Sequence, residues 1–222
     1  MTMRLVASCV ALVLVCSQAF AKQQPTDFQA VVDRAHAQFK DVKDGANADY
    51  IPILATVPSD MFGVVIVTRD GQVFSAGEMD YEFSIQSVSK PFTASLVMDQ
   101  QGPAAVREKI GVEPTGLPFN SKMALELYAA RSVNPLVNAG AIAAVSLVEA
   151  DSEEDRWNQI HANLNAYAGR ELPVLEEVYT SEYEEAWSNR GIANLLYNYG
   201  RLYSDPEETL RVYTRQCSTG IN

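Results

Sequence analysis

The stretch from residue 137 to residue 150 constrains the fold most, because nearly all of its side chains are small and apolar. A helix that is apolar on all sides has to be surrounded by other elements. Asn134-Pro135 predicts its start, and apolar residues at helical spacing elsewhere predict the helices that surround it. They cover residues 26–43, the segment that ends near 101, and 104–110, 121–130, 153–168, 175–183, 188–203 and 206–215.

Only two strands are predicted, and they form a hairpin over residues 63–76, with a turn at Arg69-Asp70-Gly71. An isolated hairpin leaves both sheet edges unpaired. Either the helices cover it completely, or the sheet takes further strands from sequence outside this chain. No strand pattern follows in residues 218–222. The predicted fold class is therefore α+β, helix-rich, with an antiparallel sheet that lacks its C-terminal strands.

Residues 1–21 have the three parts of a secretory signal peptide. Arg4 is the positive charge, an apolar run follows from residue 5 to residue 15, and Ala19-Phe20-Ala21 is a cleavage motif. A buried N-terminal helix and a lipid anchor on Cys16 are the alternatives. Cleavage after Ala21 predicts a periplasmic or secreted protein, and residues 22–222 are then interpreted as one domain with an N-terminal helix, the hairpin and a helical lobe.

Composition excludes several partners and sites. The net charge is −11 with no basic stripe, which excludes nucleic acid and anionic membrane surfaces as partners of the cleaved chain. Cleavage would remove Cys9 and Cys16, so Cys217 would have no internal disulfide partner. The two histidines, His36 and His161, lie far apart, which disfavours a zinc site or a Ser-His-Asp triad.

Ser87 precedes Lys90 by three residues, a spacing that places both on one face if a helix begins there. A desolvated lysine can take the proton of a serine hydroxyl and so activate it as a nucleophile. The scarcity of histidine favours lysine as the base. The same spacing also arises by chance in a polar turn before a helix, so the pair alone leaves both interpretations open.

Five groups of residues carry a more specific signal. The chain has A-D-Y-I-P at 48–52, F-S-I-Q-S-V-S-K at 83–90, G-L-P-F-N-S at 116–121, N-P-L-V-N-A-G-A-I at 134–142, and the dispersed set Ser181-Glu182, Asn189-Arg190, Tyr213 and Cys217-Ser218. Together they resemble the bacterial-type glutaminases, which share the fold of serine β-lactamases and transpeptidases. The block at 134–142 is the most specific, whereas S-x-x-K is common to all penicillin-recognising enzymes.

The resemblance implies an amidohydrolase that converts L-glutamine to L-glutamate and ammonia through an acyl-enzyme. It makes Ser87 the nucleophile and Lys90 the general base, with no metal or cofactor, and it implies a homo-oligomer. The residues that it places in or beside the substrate site are Asn138, Glu182, Asn189, Tyr213, Tyr50 and Gln86. Each of the main ones has an ordinary alternative: Asn138 as a helix cap, Glu182 as part of a solvated acidic face, and Tyr213 as a core residue.

Family members continue beyond the position of Ser218, and the last four residues do not resemble that continuation. The expectation is a C-terminally truncated chain with at most weak activity. Two alternatives stay open. A β-lactamase or peptidase fits export and the S-x-x-K spacing, but no S-D-N motif is present. A non-catalytic fragment that associates with an intact subunit or misfolds fits the missing strands.

Overall fold

A computed structural model describes residues 26–127 and 133–222, so the predicted signal peptide lies outside the described residues. The helices, in chain order, are α1 (Phe28–Phe39), α2 (Lys90–Gln101), α3 (Pro103–Lys109), α4 (Met123–Leu127), α5 (Asn138–Leu147), α6 (Glu153–Ala168), α7 (Glu176–Glu184), α8 (Trp187–Asn198) and α9 (Pro206–Cys217). The strands are β1 (Gly63–Val67), β2 (Val73–Gly77), β3 (Phe83–Ser84) and β4 (Gly220–Ile221).

Helix α5 lies at the centre of the core, and all of its residues are buried. Helices α2, α8 and α9 pack around it, which confirms the prediction of a surrounded helix. The helix begins at Asn138 rather than at Asn134, because the Asn134 side chain accepts the Leu136 N–H at 3.0 Å and holds a turn there. The predicted burial of this helix is thus confirmed, whereas its predicted start at Asn134-Pro135 is wrong.

Helix α9 is held against α6 by charge as well as by packing. Arg211 donates to both oxygens of Glu153, at 2.8 and 2.7 Å, in a bidentate ion pair. Helix α9 runs two residues past its predicted end, to Cys217. The extension adds Cys217 to the face of the helix that carries Tyr213, and both side chains are buried.

The predicted hairpin is confirmed as β1 and β2, which pair antiparallel with Gly63 opposite Gly77. Helix α1 packs on one face, where the rings of Phe28 and Phe74 lie 5.5 Å apart between centroids. Alternate residues of the other face, including Val65 and Val67, are exposed. The helices therefore cover one face of the hairpin only, and among the described residues β1 pairs with β2 alone.

The end of the chain does form a strand, contrary to the sequence prediction. Residues Gly220–Ile221 pair antiparallel with Phe83–Ser84, and the Ile85 N–H donates to the Thr219 carbonyl at 2.8 Å. A two-residue strand has no alternation from which it can be predicted. Its effect is large, because it fixes the segment that leads directly to Ser87.

Two other features bear on function. Within residues 26–127 and 133–222, none of the helices combines the length and apolarity needed to cross a lipid bilayer. In the same ranges, no group of three or more His, Cys, Asp and Glu side chains is arranged to hold a metal ion.

Candidate active site

Ser87 and Lys90 lie at the junction of a short 3₁₀ turn and helix α2. The turn covers Gln86–Ser89, and the Lys90 N–H donates to the Ser87 carbonyl. A 3₁₀ helix has three residues per turn, so positions i and i+3 lie directly above one another. The helix that the spacing predicts is thus a 3₁₀ turn at Ser87, and α2 begins only at Lys90. Ser87 is exposed, whereas Lys90 is only 2% exposed.

The backbone just before the nucleophile is in an unfavourable conformation. Gln86 has φ of +49°, in the left-handed region that side chains other than glycine seldom adopt. Such a residue costs on the order of 1–3 kcal/mol and persists where its surroundings hold it. Here Gln86 Nε2 donates to Ser84 Oγ at 3.1 Å and to Glu182 Oε2 at 3.2 Å, and Ser89 Oγ donates to the Gln86 carbonyl at 2.7 Å.

The amine of Lys90 is held by neutral acceptors. Its Nζ donates to Asn138 Oδ1 at 2.7 Å and to the Leu136 carbonyl at 3.3 Å. Burial lowers the pKa of Lys90, and the nearby Cys217 and Glu182 act in the opposite direction. Burial also raises the pKa of Cys217 far above neutrality, so its thiol is uncharged and Glu182 is the effective anion. The result is an amine more easily deprotonated than a lysine in water.

Asn138 joins the base to the rest of the site. As the first residue of α5, it accepts from Lys90 through Oδ1 and donates through Nδ2 to Asn189 Oδ1 at 3.0 Å. Its backbone N–H donates to the Phe119 carbonyl at 2.8 Å. The role of a simple helix cap is not observed, since the side chain points to Lys90 and Asn189 rather than to the first turn.

Glu182 is a buried carboxylate on α7, with 8% of its surface exposed. Burial raises its pKa to about 7, although the hydrogen bond from Gln86 and the charge of Lys90 lower it. The solvated acidic face considered from the sequence is therefore wrong for this residue. A partly ionised carboxylate inside a cavity is suited to receive an ammonium group.

Arg190 connects helices α7 and α8, which carry Glu182 and Asn189, to helix α9. Its guanidinium carbon lies 4.7 Å from the ring centroid of Tyr183 and 5.1 Å from that of Trp187. Its Nε lies 3.5 Å from Glu207 Oε1, and Tyr183 Oη donates to the other oxygen of Glu207 at 2.9 Å. This stack ties the end of α7 and the start of α8 to α9.

Most of the predicted site residues surround one cavity of about 370 Å³. The cavity is lined by Tyr50, Gln86, Ser87, Asn138, Glu182, Asn189 and Tyr213. Lys90 lies behind the wall and reaches it through Asn138. Tyr213 is buried, and burial raises its pKa well above the usual value, so its hydroxyl keeps its proton. The structure thus brings the predicted set together, and the roles assigned to its members remain predictions.

Comparison with known proteins decides the family. The sequence model of the glutaminase family matches residues 45–222. The chain belongs to the glutaminase family. The match includes residues 219–222, so the expectation that these last residues depart from the family pattern is wrong.

The glutaminase relatives are longer than this chain. It is 52% identical to the glutaminase of Brucella canis over 191 residues. This alignment covers 86% of this chain and 60% of the relative. The identity is also 52% over 194 residues with the glutaminase of Desulfovibrio desulfuricans, at 87% of this chain and 63% of the relative. The chain therefore spans about 60% of the length of the curated glutaminases that it matches.

Solved glutaminase structures share the fold. The probable glutaminase YbaS superposes with a TM-score of 0.85 at 50% identity, over 87% of this chain and 63% of that one. The L-glutamate-bound form of the protein Mglu gives a TM-score of 0.82 at 32% identity, over 89% of this chain and 44% of that one. The predicted helix-rich, β-lactamase-like fold of glutaminases is confirmed. The β-lactamase or peptidase alternative is not favoured, because the family match is to glutaminases.

The sequence prediction for this member of the glutaminase family does not assign every residue of the cavity wall. Phe119 and Asn120 belong to the G-L-P-F-N-S motif but received no role, and Glu185 and Ser188 flank assigned residues. The motif itself was the signal that could have identified Phe119. Glu185 and Ser188 gave no such signal, since they lie in an acidic and polar run without periodicity.

Proposed function

We propose that this chain hydrolyses L-glutamine to L-glutamate and ammonia through an acyl-enzyme on Ser87. One observation carries the proposal: an exposed serine borders a cavity that also contains a buried carboxylate, and a buried, hydrogen-bonded lysine lies behind the wall of that cavity. Membership of the glutaminase family supports the choice of glutamine.

In the first step, Ser87 Oγ attacks the side-chain carbonyl carbon of glutamine while Lys90 Nζ takes the hydroxyl proton. The resulting oxyanion can be stabilised by backbone N–H groups of the turn that precedes α2. When the C–N bond breaks, Lys90 returns the proton to the leaving nitrogen, and ammonia departs. Water then attacks the ester, again with Lys90 as the base, and releases glutamate and free Ser87.

The remaining side chains of the cavity account for recognition of the amino-acid end. Glu182 pairs with the α-ammonium group, and the amide and phenol donors of Asn138, Asn189 and Tyr213 serve the α-carboxylate. Tyr50 and Gln86 lie beside them in the same wall. A substrate without these groups would leave buried polar atoms unpaired, which is costly.

The test measures ammonia release from glutamine by the full chain and by Ser87→Ala. Ser95→Ala is the matched control, because Ser95 lies on α2, which follows the turn that carries Ser87, and hydrogen-bonds to Phe92 and Tyr167 away from the cavity. We expect loss of turnover in Ser87→Ala alone, and γ-glutamyl hydroxamate from the wild type when hydroxylamine replaces water. Wild-type-like turnover in Ser87→Ala would exclude the proposal.

We further propose that the protein is a homo-oligomer. The start of α4 lies near the start of α8, because Lys122, which directly precedes α4, donates through Nζ to Ser188 Oγ at 2.8 Å. Several large apolar side chains of these two helices are more than half exposed: Met123, Leu127, Trp187 and Tyr197. Light scattering should give a multiple of the chain mass, and a monomer at micromolar concentration would contradict this.

Export is proposed from the pattern of residues 1–21, together with their cleavage after Ala21. The expected product in the periplasm or medium begins at Lys22. Fractionation followed by N-terminal sequencing tests this. A cytosolic protein that still carries Met1 would refute it.

A further inference from the structure

Phe119 occupies a fixed position on the cavity wall. The Ser121 N–H donates to the Pro118 carbonyl at 2.9 Å, so Phe119 and Asn120 form the corner of a tight turn. The Phe119 carbonyl accepts the N–H of Asn138. These bonds tie the turn to the first residue of α5, which itself holds Lys90. As a whole residue Phe119 is 58% exposed, and it borders the cavity.

The ring of Phe119 stands next to the amine of Lys90. Its centroid lies 5.7 Å from Nζ. The two hydrogen-bond acceptors of Nζ, Asn138 Oδ1 and the Leu136 carbonyl, are both neutral. Across the described ranges, no carboxylate forms an ion pair with Nζ. Lys90 is 2% exposed and lies behind the cavity wall, to which Phe119 and Asn138 belong. Part of that wall therefore separates the amine from the water in the cavity.

We propose that Phe119 is a positioning residue whose ring shields Lys90 Nζ from cavity water and thereby favours the uncharged amine that can act as the base. The proposal rests on the proposed function only for the role of Lys90 as base. The shielding itself is a property of the free protein.

The ring acts on Lys90 in two opposite ways. An aromatic face attracts an ammonium group, which would favour the protonated form. Exclusion of water disfavours that form. At 5.7 Å the amine lies near the outer limit of about 6 Å for cation–π attraction, so exclusion of water should prevail. Burial is also the largest influence on the pKa of Lys90, and it lowers that pKa.

Other groups that face Lys90 must be separated from the effect of the ring. Glu182 on α7 and Cys217 on α9 both raise the pKa of Lys90 when charged. The buried thiol of Cys217 stays neutral, so Glu182 is the group that can titrate. A change at Phe119 leaves both in place, and a comparison of Phe119 variants therefore isolates the ring.

The test is the pKa of Lys90 itself, measured by NMR on the full chain labelled with ¹³C at lysine Cε. The chain has few lysines, and Lys90→Arg identifies the signal. The variants are Phe119→Ala, which opens the wall to water, and Phe119→Leu, which keeps an apolar cover without a π face. Phe119→Ser repeats the first change if the alanine variant fails to fold.

We expect Phe119→Ala to raise the pKa of Lys90 by about one unit, and Phe119→Leu to leave it near or slightly below the wild-type value. The acidic limb of the pH profile of kcat for glutamine should move by the same amount in the same variants. An unchanged pKa in Phe119→Ala, or an equal rise in Phe119→Leu, would overturn the proposal.

Failure of the shielding and failure of the proposed function give different results. Glutamine hydrolysis with an unchanged pKa of Lys90 in Phe119→Ala refutes the shielding alone. A raised pKa in that variant, in a protein that never releases ammonia from glutamine, supports the shielding and refutes the proposed function.

Discussion

At the scale of single residues, the site is defined by two buried ionisable groups that do not contact each other directly. Burial lowers the pKa of Lys90 and raises that of Glu182 to about 7. Both changes favour the neutral forms. A base whose uncharged form is favoured and a carboxylate that ionises when it meets an ammonium suit the proposed reaction.

Replacement of Lys90 separates its chemistry from its packing. Lys90→Met keeps an unbranched chain of similar volume but leaves Asn138 Oδ1 and the Leu136 carbonyl without their donor, so the free energy of unfolding should fall by about 1–3 kcal/mol. We expect kcat for glutamine to fall by about 10²–10⁴-fold, the usual contribution of a positioned base. Ammonia release and thermal unfolding measure the two effects, and a variant that keeps its turnover would exclude Lys90 as the base.

Replacement of Glu182 should act mainly on KM. The carboxylate form binds the α-ammonium, so affinity for glutamine should rise as pH passes through about 7. In Glu182→Gln this rise should disappear, and KM should increase by about 10–100-fold because a charged hydrogen bond is lost. Steady-state kinetics from pH 6 to pH 8.5 would show this; a KM that keeps its pH dependence would contradict it.

At the scale of elements, α5 positions the site more than any other helix. Its first residue holds both Lys90 and Asn189. Its third residue, Gly140, lies so close to the preceding turn that a Cβ atom there would be 1.9 Å from the Asn134 carbonyl oxygen. Only glycine permits that approach, and the turn in question carries the Leu136 carbonyl that binds Lys90.

A pair of glycine substitutions tests this contact. Gly140→Ala should push α5 from the turn and destabilise the protein by roughly 1–3 kcal/mol, as overpacking does, with a loss of turnover. Gly191→Ala in α8 is the matched control, since the Cβ there would meet only Lys122 Cε, at 3.3 Å. It should be neutral or stabilising by about 0.5–1 kcal/mol. Equal unfolding temperatures for the two variants would argue against a tight contact at Gly140.

At the scale of the whole molecule, Glu182 should make stability depend on pH. Its pKa is about 7 in the folded protein against an ordinary value of 4.5, so the folded state prefers the protonated form. The stabilisation of the folded state by protonated Glu182 is fully present below pH 4.5 and is lost as pH rises through 7. The linkage amounts to about 3 kcal/mol, or roughly 10 °C in Tm.

Glu182→Gln is the control for this dependence, because its side chain does not ionise. Thermal unfolding of both proteins is measured at pH 5 and pH 8 without substrate. The Tm of the variant relative to that of the wild type should be higher at pH 8 than at pH 5. If the difference in Tm between the two proteins is the same at both pH values, the carboxylate is not perturbed as described.

Local signals predicted much of this fold. Helix α6 has the predicted bounds, because Ser152 caps its start and Gly169, with φ of +66°, ends it. Helix α8 ends at Asn198 instead of 203, since Gly200 adopts φ of +66° within a run that looks helical. The family motifs predicted most of the residues that surround the cavity. The 3₁₀ turn, the strained Gln86 and the cover over Lys90 depend on contacts between distant segments, which no local pattern contains.

The buried thiol on α9 gives the molecule an internal reporter. Cys217 is the cysteine of the described residues, it borders the cavity, and only 2% of it is exposed. A thiol reagent can reach it only when the structure around the cavity opens, so the rate of modification measures that opening. Slower modification in the presence of a ligand would report binding directly, without any assay of turnover and without an added label.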